Sequence, residues 1–550
     1  MSKRRGLWKH GRWRGAMVLW MAAVLGACSA GGVWDVVEDR PGEWADGTRR
    51  IGPVEPTQAD EQLAPTTGVL SLSIEQAVLV ALRYNRALDA QQLSPVIAGQ
   101  FEQLERAVYD PVVDASGRYS RARQRQVFAA TGDAFDLTAE GGSVAGGIGR
   151  RLPTGTRVGV DVGHEYSGSD RAPDQHTARV GLTATQALLQ GLSPEANLAS
   201  IRQARLDGLI SEFELRGFTE TLVASVEQAY WDVVLARREI EIFERSLEVA
   251  QQQQAEVERR VEVGVLAEVE LAASRAEVAL RREALINARA NHEARRLVLL
   301  RLLNPPGPMM WDRVLELDEV PGELDVELDA VESHVALGER LRTDLNEARL
   351  RLERGRLEVV QTRNGLLPRL DLFVSLGKTG FADSFGSAWG DLDGSGYDAT
   401  VGVNFEQPLG NRAARAQDTI ARVSRQQAAE ALGNIQQLVQ FDVRRAHLEV
   451  GRTREQIAAT VATRELREQT LGVEEEKFRV GTSTALLVAQ AQRDLLESRI
   501  AEVRALVQHR QALIDLYRLE GSLLLRRGIG APGGGQEGFL LGASVQDATQ

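Results

Sequence analysis

Two hydrophobic periodicities alternate along this chain. In four long segments, small and apolar residues recur at the helical spacing of about 3.6. These predicted helices span residues 197–263, 265–303, 412–480 and 482–526. Charged and amide side chains occur on every stretch, so we expect one apolar stripe to pack on neighbouring helices while the remaining surface stays hydrated. At about 1.5 Å per residue, the longest segments reach roughly 100 Å, which exceeds any compact domain.

Shorter segments alternate strictly between apolar and polar residues. In residues 157–162 every second residue is valine, and segments 372–376 and 401–406 repeat this alternation. An apolar face and a polar face at period two are typical of a membrane β-barrel that encloses water. A soluble sandwich would alternate as well, but helices of this length do not cover a sandwich. A sheet with free edges must also close or pair with other chains.

The chain contains two tandem copies of one layout. An offset of 217 residues pairs Gly264 with Gly481 and Val226 with Val443, and no insertion interrupts this helical register. Each copy reads helix, strands, long helix, turn and helix. Helices of fixed length are expected where they must span a set distance side by side. We therefore expect the length itself to be functional.

The strand regions repeat with a different spacing, because the first copy is longer. Pro111 pairs with Pro368 at an offset of 257, whereas Val180 pairs with Val401 at 221, a difference of 36 residues. A turn signal at residues 152–155 lies within this surplus and predicts an additional hairpin. The sequence thus predicts four strands in the first copy and two in the second.

Segments of different composition flank the two copies. Basic residues, a short apolar run and small residues indicate a signal peptide at 1–27, and Leu25-Gly26-Ala27-Cys28 fits a lipoprotein signal. Cys28 is the only cysteine, so we expect it to be lipidated, although an ordinary secretory signal with a chance cysteine is the alternative. The other predicted segments are a tether at 28–67, a first repeat at 68–303, an inter-repeat linker at 304–329, a second repeat at 330–527 and a flexible Gly-rich tail at 528–550.

Composition narrows the classes of function. The formal net charge is −12 and no basic stripe with interleaved aromatic residues occurs, so nucleic acid is not an expected partner. The seven histidines are scattered singly, without an HExxH motif, a paired metal-ligand spacing or a phosphate-binding loop. We therefore expect no enzyme activity, no metal site and no cofactor apart from the covalent lipid.

Several motifs, in order and in both copies, resemble the TolC family of outer-membrane channel proteins over roughly residues 68–527. The duplicated layout and the lipoprotein signal come first. The remaining motifs are Tyr109-Asp110-Pro111 before the first strand, Thr185-Gln186-Ala187-Leu188-Leu189 and Glu406-Gln407-Pro408-Leu409 after the strand regions, and the turns Val263-Gly264-Val265 and Val480-Gly481-Thr482.

The resemblance implies an α+β membrane protein that assembles as a homotrimer. A shared outer-membrane β-barrel would continue into a periplasmic α-helical barrel of coiled-coil hairpins. The chain would be the exit duct of a tripartite efflux pump or a type I secretion system in a Gram-negative-type bacterium. Its partners would be outer-membrane lipid, a periplasmic adaptor (membrane fusion) protein and, through that adaptor, an inner-membrane transporter.

The helix tips are the candidate docking surface for that adaptor. Glycine allows the chain to reverse at the far ends of the hairpins. The predicted docking residues are Val263, Gly264, Val265, Leu266, Val480, Gly481, Thr482 and Ser483. Plain loop residues without a partner are the alternative, since exposed apolar residues in loops are common.

A candidate gate lies just beyond the second tip. Cation-selecting members of the family carry two acidic residues there, whereas this chain has Leu487 and Gln490. Three copies of Leu487 would close a tunnel by apolar contact and dewetting. Glu270, with Glu268 nearby, occupies the matching position after the first tip.

Two further questions stay open at the level of sequence. The family barrel usually has twelve strands, whereas three chains with six strands each would supply eighteen. The additional hairpin either enlarges the barrel or folds over its mouth. The competing class of function is a structural or adaptor coiled-coil lipoprotein of the cell envelope, although an adaptor would be expected to carry one helical hairpin instead of two.

Overall fold

The computed structural model describes residues 69–127, 132–307, 310–319, 322 and 327–530, which all belong to one compact unit of the chain. The predicted signal peptide, Cys28, the whole predicted tether and all but residues 528–530 of the predicted tail lie outside the described residues. No helix in the described ranges combines the length and the apolarity needed to cross a membrane.

Helices dominate the described residues. They are α1 Ile74–Tyr84, α2 Arg86–Arg106, α3 Pro194–Asn197, α4 Ala199–Glu262, α5 Glu268–Leu303, α6 Val331–Leu341, α7 Thr343–Asn364, α8 Phe385–Gly390, α9 Arg412–Arg479, α10 Ala485–Leu519 and α11 Leu523–Arg526. The longest two, α4 and α9, contain 64 and 68 residues, so each is about 100 Å long.

The strands form two sheets. They are β1 Leu70–Leu72, β2 Val112–Val127, β3 Ala134–Arg151, β4 Thr156–Ser169, β5 Gln175–Ala187, β6 Leu315–Leu317, β7 Arg369–Ala382 and β8 Tyr397–Glu406. The small sheet pairs β1 with β6 in parallel, and the large sheet is antiparallel in the order β2-β3-β4-β5-β7-β8.

For the large sheet, the prediction of four strands from the first copy and two from the second is confirmed. The additional hairpin joins the large sheet, because β3 pairs with β2 on one side and with β4 on the other. Its turn lies at residues 152–155, where Gly155 has φ +78° and Ala187 donates a backbone hydrogen bond to the Gly155 carbonyl at 3.2 Å. A hairpin within the sheet does not fold over it.

Helix ends follow local chemistry. Ser73 begins α1 with a capping box, as expected of a serine ahead of a helical pattern. Asn304, in the left-handed region at φ 46°, ends α5 just before two consecutive prolines. The predicted helix over 482–526 is wrong at both ends. It begins at Ala485, capped by the Thr484 hydroxyl, and it ends at Leu519, because Gly521 takes φ +73° before the separate helix α11.

The long helices pack side by side in two levels. Near the large sheet, α2 packs on α4, α4 on α7, and α7 on α9. Farther from the sheet the order is α5, α4, α10 and α9. Helix α2 leads into β2 and helix α9 follows β8, and β2 and β8 are the two edge strands. One side of the chain is therefore edged by β2, α2 and α5, and the other by β8 and α9.

The main core lies where α1, the small sheet and the C-terminal residues meet the first half of α4. Tyr230 and Trp231 are buried there, and the Tyr230 hydroxyl donates to the Leu72 carbonyl at 3.1 Å. Two buried carboxylates hold the C-terminal helix in place. Glu227 makes two hydrogen bonds of 2.7 Å with Arg527, and Glu220 accepts one from the backbone N–H of Leu523 at 3.2 Å.

Candidate functional site

Both helix tips are built by the same backbone motif. At the first, Gly264 has φ +73°, its N–H donates to the Val261 carbonyl, and the N–H of Val265 donates to the Arg260 carbonyl at 2.8 Å. At the second, Gly481 has φ +81° and Thr482 donates in the same way to Lys477 at 2.8 Å. This double hydrogen bond is the Schellman ending, which favours glycine because the first residue after the helix cap is left-handed.

The predicted docking residues lie at the surface to different degrees. The side chains of Val263, Val265 and Val480 are 74%, 69% and 70% exposed, which is unusual for valine. Thr482 is exposed as well, while Leu266 is half-buried. Ser483 is also half-buried, and its hydroxyl donates to Glu474 at 2.9 Å. The tips therefore present mainly an apolar surface made of valines.

The two tips lie side by side, which the sequence alone did not reveal. The guanidinium carbon of Arg260, near the end of α4, lies 5.1 Å from the ring centre of Phe478, near the end of α9. Such a cation–π contact contributes about 0.5–1 kcal/mol at an exposed site. Farther along, Arg493 of α10 donates to the buried Glu277 of α5 at 2.7 Å. The two hairpins are thus cross-linked close to their ends.

The predicted gate residues fall into two groups. Leu487 and Gln490 are exposed on the first two turns of α10, one helical turn apart, so they share a face. Glu268 and Glu270 occupy the first turn of α5, where carboxylates favour a helix N-terminus. The structure places Leu487 at the surface of a single chain, where further copies could contact it.

The large sheet has two chemically different faces, which we call the outer and the inner face. Residues that pair across the strands point to the same side, so the ladder register defines each face. The outer face is apolar in its central rows. It carries Val113, Val144, Ile148, Val158, Val160, Val162, Val180, Leu182, Leu372, Val374, Leu376, Val401, Val403 and Phe405.

The inner face is polar and lined by small residues. One row crosses all six strands and contains Asp114, Gly147, Asp161, Gly181, Gly377 and Asp398 in that order. Arg179, on β5, bridges two of these aspartates. It forms an ion pair with Asp161 on β4 and two hydrogen bonds of 3.0 and 3.1 Å with Asp398 on β8. Sequence alternation indicated the polar side, but not this bridge.

Known proteins share this architecture. The outer-membrane channel OprN is 18% identical, with a TM-score of 0.61 over 82% of this chain and 90% of that chain. The Campylobacter jejuni CmeC outer membrane channel is 16% identical, with a TM-score of 0.60 over 82% of this chain and 86% of that chain. The outer membrane protein VceC from Vibrio cholerae is 17% identical, with a TM-score of 0.60 over 82% of this chain and 96% of that chain. At these identities the similarity establishes the fold alone.

The family is established by the sequence. Residues 151–304 and 338–522 match the family described as outer membrane efflux protein, and these ranges cover more than half of the chain. This protein belongs to that family. Its class of function is that of an efflux-pump channel of the outer membrane, which is a conduit and not an enzyme. None of the curated protein sequences matches the chain.

Proposed function

We propose that three copies of this chain form the outer-membrane exit duct of a tripartite efflux pump or a type I secretion system. Each chain would span the outer membrane through its large sheet and extend into the periplasm through its long helices. The observation that carries the proposal is a sheet with one apolar and one polar face, joined to helices of about 100 Å. Such a sheet suits lipid on one side and water on the other.

The edges of the chain support self-assembly. On the outer helix α2, Leu93, Ile97, Phe101 and Leu104 are all exposed at helical spacing. On the opposite edge, α9 exposes a comparable series, namely Ile420, Val423, Leu438, Phe441 and Leu448. An apolar stripe on each edge suits a neighbouring copy, since burying both stripes removes apolar surface from water.

The edge strands of the large sheet also support assembly of several copies, which would close the sheet into a barrel. The edge strands β2 and β8 leave backbone hydrogen-bonding groups without a strand partner within the described residues. In lipid these groups must be satisfied. Strand β2 leads away from the helices and β8 leads back to them, so β8 of one copy and β2 of the next would pair antiparallel. Three sheets of six strands would close an eighteen-stranded barrel.

The tips would face the inner membrane and bind a periplasmic adaptor, which in turn contacts an inner-membrane transporter. Their exposed valines Val263, Val265 and Val480 support this role.

Around the threefold axis, Leu487 would close the tunnel by apolar contact, with Glu268 and Glu270 as the alternative gate. Cys28 would carry lipid that anchors residues 28–67 to the membrane. The two repeats, 68–303 and 330–527, would each supply one hairpin per chain.

Membrane fractionation tests the proposal against the alternative of a periplasmic adaptor or structural lipoprotein. We expect the full chain in the outer-membrane fraction, as a trimer that dissociates on heating in detergent. We also expect cells that lack the chain to accumulate exported compounds, and cells that express it to recover. A monomer that high salt or alkali extracts from the membrane would refute the channel and favour the structural role.

A further inference from the structure

The outer-face residues of strand β2 change in character along the strand. In order away from the helices they are Val113, Ala115, Gly117, Tyr119, Arg121, Arg123 and Arg125. Every second residue of a strand shares a face, so these residues all lie on the side of the sheet that carries the apolar rows. Three consecutive arginines therefore follow the apolar segment on the face that the proposed duct turns towards lipid.

All three arginines are exposed, and two of them form ion pairs at the surface. The Nε atom of Arg121 lies 3.2 Å from Glu140, and a guanidinium nitrogen of Arg123 lies 2.7 Å from Asp136. The carboxylate opposite Arg125 in the ladder is that same Asp136. Three arginines thus share two carboxylates, which leaves a surplus of positive charge. The paired side chains stay 66% and 72% exposed, so they remain accessible to other anions.

The outermost two arginines lie where the β2–β3 hairpin projects beyond the rest of the sheet. The ladder between β3 and β4 ends at the pair Ala139–Ser169, whereas the ladder between β2 and β3 continues for five more pairs, to Val127–Ala134. On the other side of β2, the proposed barrel places β8 of the next copy. That strand has 10 residues against the 16 of β2, and its outer-face residues are uncharged. If both strands start level at the helices, β8 ends beside Arg121 and leaves Arg123 and Arg125 uncovered.

The height of these residues in the membrane follows from strand geometry. A strand rises about 3.4 Å per residue, and at a tilt of about 40° each residue adds about 2.6 Å across the membrane. The apolar band of an outer-membrane barrel is about 25 Å tall and is bordered by aromatic residues. Counted down from the exposed Tyr119, this band takes up about ten residues and ends near Tyr109, just before β2 begins. Tyr119 therefore marks the outer boundary of the hydrocarbon, and the arginines lie about 5, 10 and 16 Å beyond it, in and just above the headgroup layer.

Resting on the proposed function, we propose that Arg121, Arg123 and Arg125 bind the phosphate groups of the phosphorylated glycolipid in the outer leaflet of the membrane. The helices leave the large sheet at its opposite end, so this end faces the cell exterior, where that glycolipid supplies the anionic headgroups. Guanidinium groups bind phosphate through paired N–H donors. Because β2 is an edge strand, the bound lipid lies at the junction between two copies of the chain.

Binding of lipid A to the trimer purified in detergent tests this site. Native mass spectrometry counts the lipid molecules that each trimer retains, and a titration gives the apparent Kd. Fully phosphorylated lipid A is compared with enzymatically dephosphorylated lipid A, on the wild type and on each variant. Arg118→Gln is the charge-matched control for Arg125→Gln, because Arg118 is exposed on the same strand but belongs to the inner face.

We expect the wild type to bind phosphorylated lipid A roughly 100-fold more tightly than the dephosphorylated form, since each basic residue near an anionic lipid surface contributes a factor of about five. Arg125→Gln should weaken binding about fivefold, and the triple glutamine variant of Arg121, Arg123 and Arg125 roughly 100-fold. The triple lysine variant, which keeps the charge, should bind nearly as the wild type does, and Arg118→Gln should bind unchanged. Asp136→Asn should tighten binding, because it removes a carboxylate that competes for Arg123.

Two kinds of outcome overturn different statements. Suppose that the chain reaches the outer membrane as a trimer but binds both forms of lipid A equally, or that Arg118→Gln loses as much affinity as Arg125→Gln. The phosphate site is then refuted, while the channel stands. If instead the wild-type chain neither fractionates with the outer membrane nor forms a trimer, the proposed function falls together with this inference.

Discussion

Replacing Glu220 with glutamine should stabilise the protein at about pH 8 and leave its stability at about pH 4 nearly unchanged. Glu220 is only 5% exposed and lies on α4. Burial raises the pKa of its carboxyl to about 7, and the nearby charge of Arg216 opposes part of this rise. Glutamine keeps the oxygen that accepts the Leu523 N–H and removes the buried charge.

The magnitude follows from the difference in pKa between the folded and unfolded chain. The carboxyl has an ordinary pKa of 4.5, so the unfolded state releases its proton at a lower pH than the folded state does. Between about pH 4.5 and pH 7 the free energy of unfolding therefore falls as pH rises. The difference of about 2.5 units corresponds to a loss of roughly 3 kcal/mol at higher pH. Below about pH 4 the carboxyl is mostly protonated in both states and the loss nearly vanishes.

Thermal or urea unfolding of the purified protein in detergent measures this effect. We expect the Glu220→Gln variant to unfold at a higher midpoint than the wild type at about pH 8, and at a similar midpoint at about pH 4. Glu248, exposed on the same helix, supplies the matched control, since Glu248→Gln should shift neither midpoint. An equal gain at both pH values would show that packing, and not the buried charge, causes the effect. No gain at about pH 8 would refute the argument altogether.

Three further predictions concern the proposed function. Cys28→Ser should leave a folded but unanchored or unprocessed protein, and radioactive palmitate should then label the wild type only. The double variant Gly264→Val with Gly481→Val should weaken adaptor docking and export while trimers persist. A valine in the left-handed conformation of either turn costs about 1–2 kcal/mol, although neither side chain would meet a neighbour. As a control, Gly451→Val within α9, which also meets no neighbour, should export normally. Leu487→Asp should raise conductance in planar bilayers and make it cation-selective and sensitive to divalent block. Strong divalent block of the wild type, with no change in the variant, would place the gate at Glu268 and Glu270.

Local patterns in the sequence were sufficient to predict much of the architecture. Three signals act within a few residues of the chain, namely glycine at both tips, alternation in the strands and the prolines after α5. Their structural effect can therefore be predicted without knowledge of the tertiary contacts. The additional hairpin was predictable for the same reason, because the turn at 152–155 needs glycine at a positive φ. The 217-residue offset also holds in the structure, where α4 ends at Glu262 and α9 at Arg479.

Features that depend on distant contacts were missed. Strands β1 and β6 have three residues each and lie far apart in sequence, so neither carries a periodicity that could be recognised. Arg179 looks like any polar residue on an alternating strand, and only the sheet register brings it between Asp161 and Asp398. The break before α11 depends on Gly521 packing closely on Leu341, where a Cβ would lie 2.9 Å from the backbone.

Because the two tips lie side by side, the lengths of the long helices can change during evolution only in restricted ways. One residue inserted into α4 would move its tip by about 1.5 Å and rotate everything beyond it by about 100°, so its apolar stripe would no longer face α5 and α10. A whole heptad would restore the facing but leave one tip about 10 Å beyond the other. Only matched insertions in α4, α5, α9 and α10 keep both tips level. We therefore expect relatives of different reach to differ by paired insertions in both copies, inherited together.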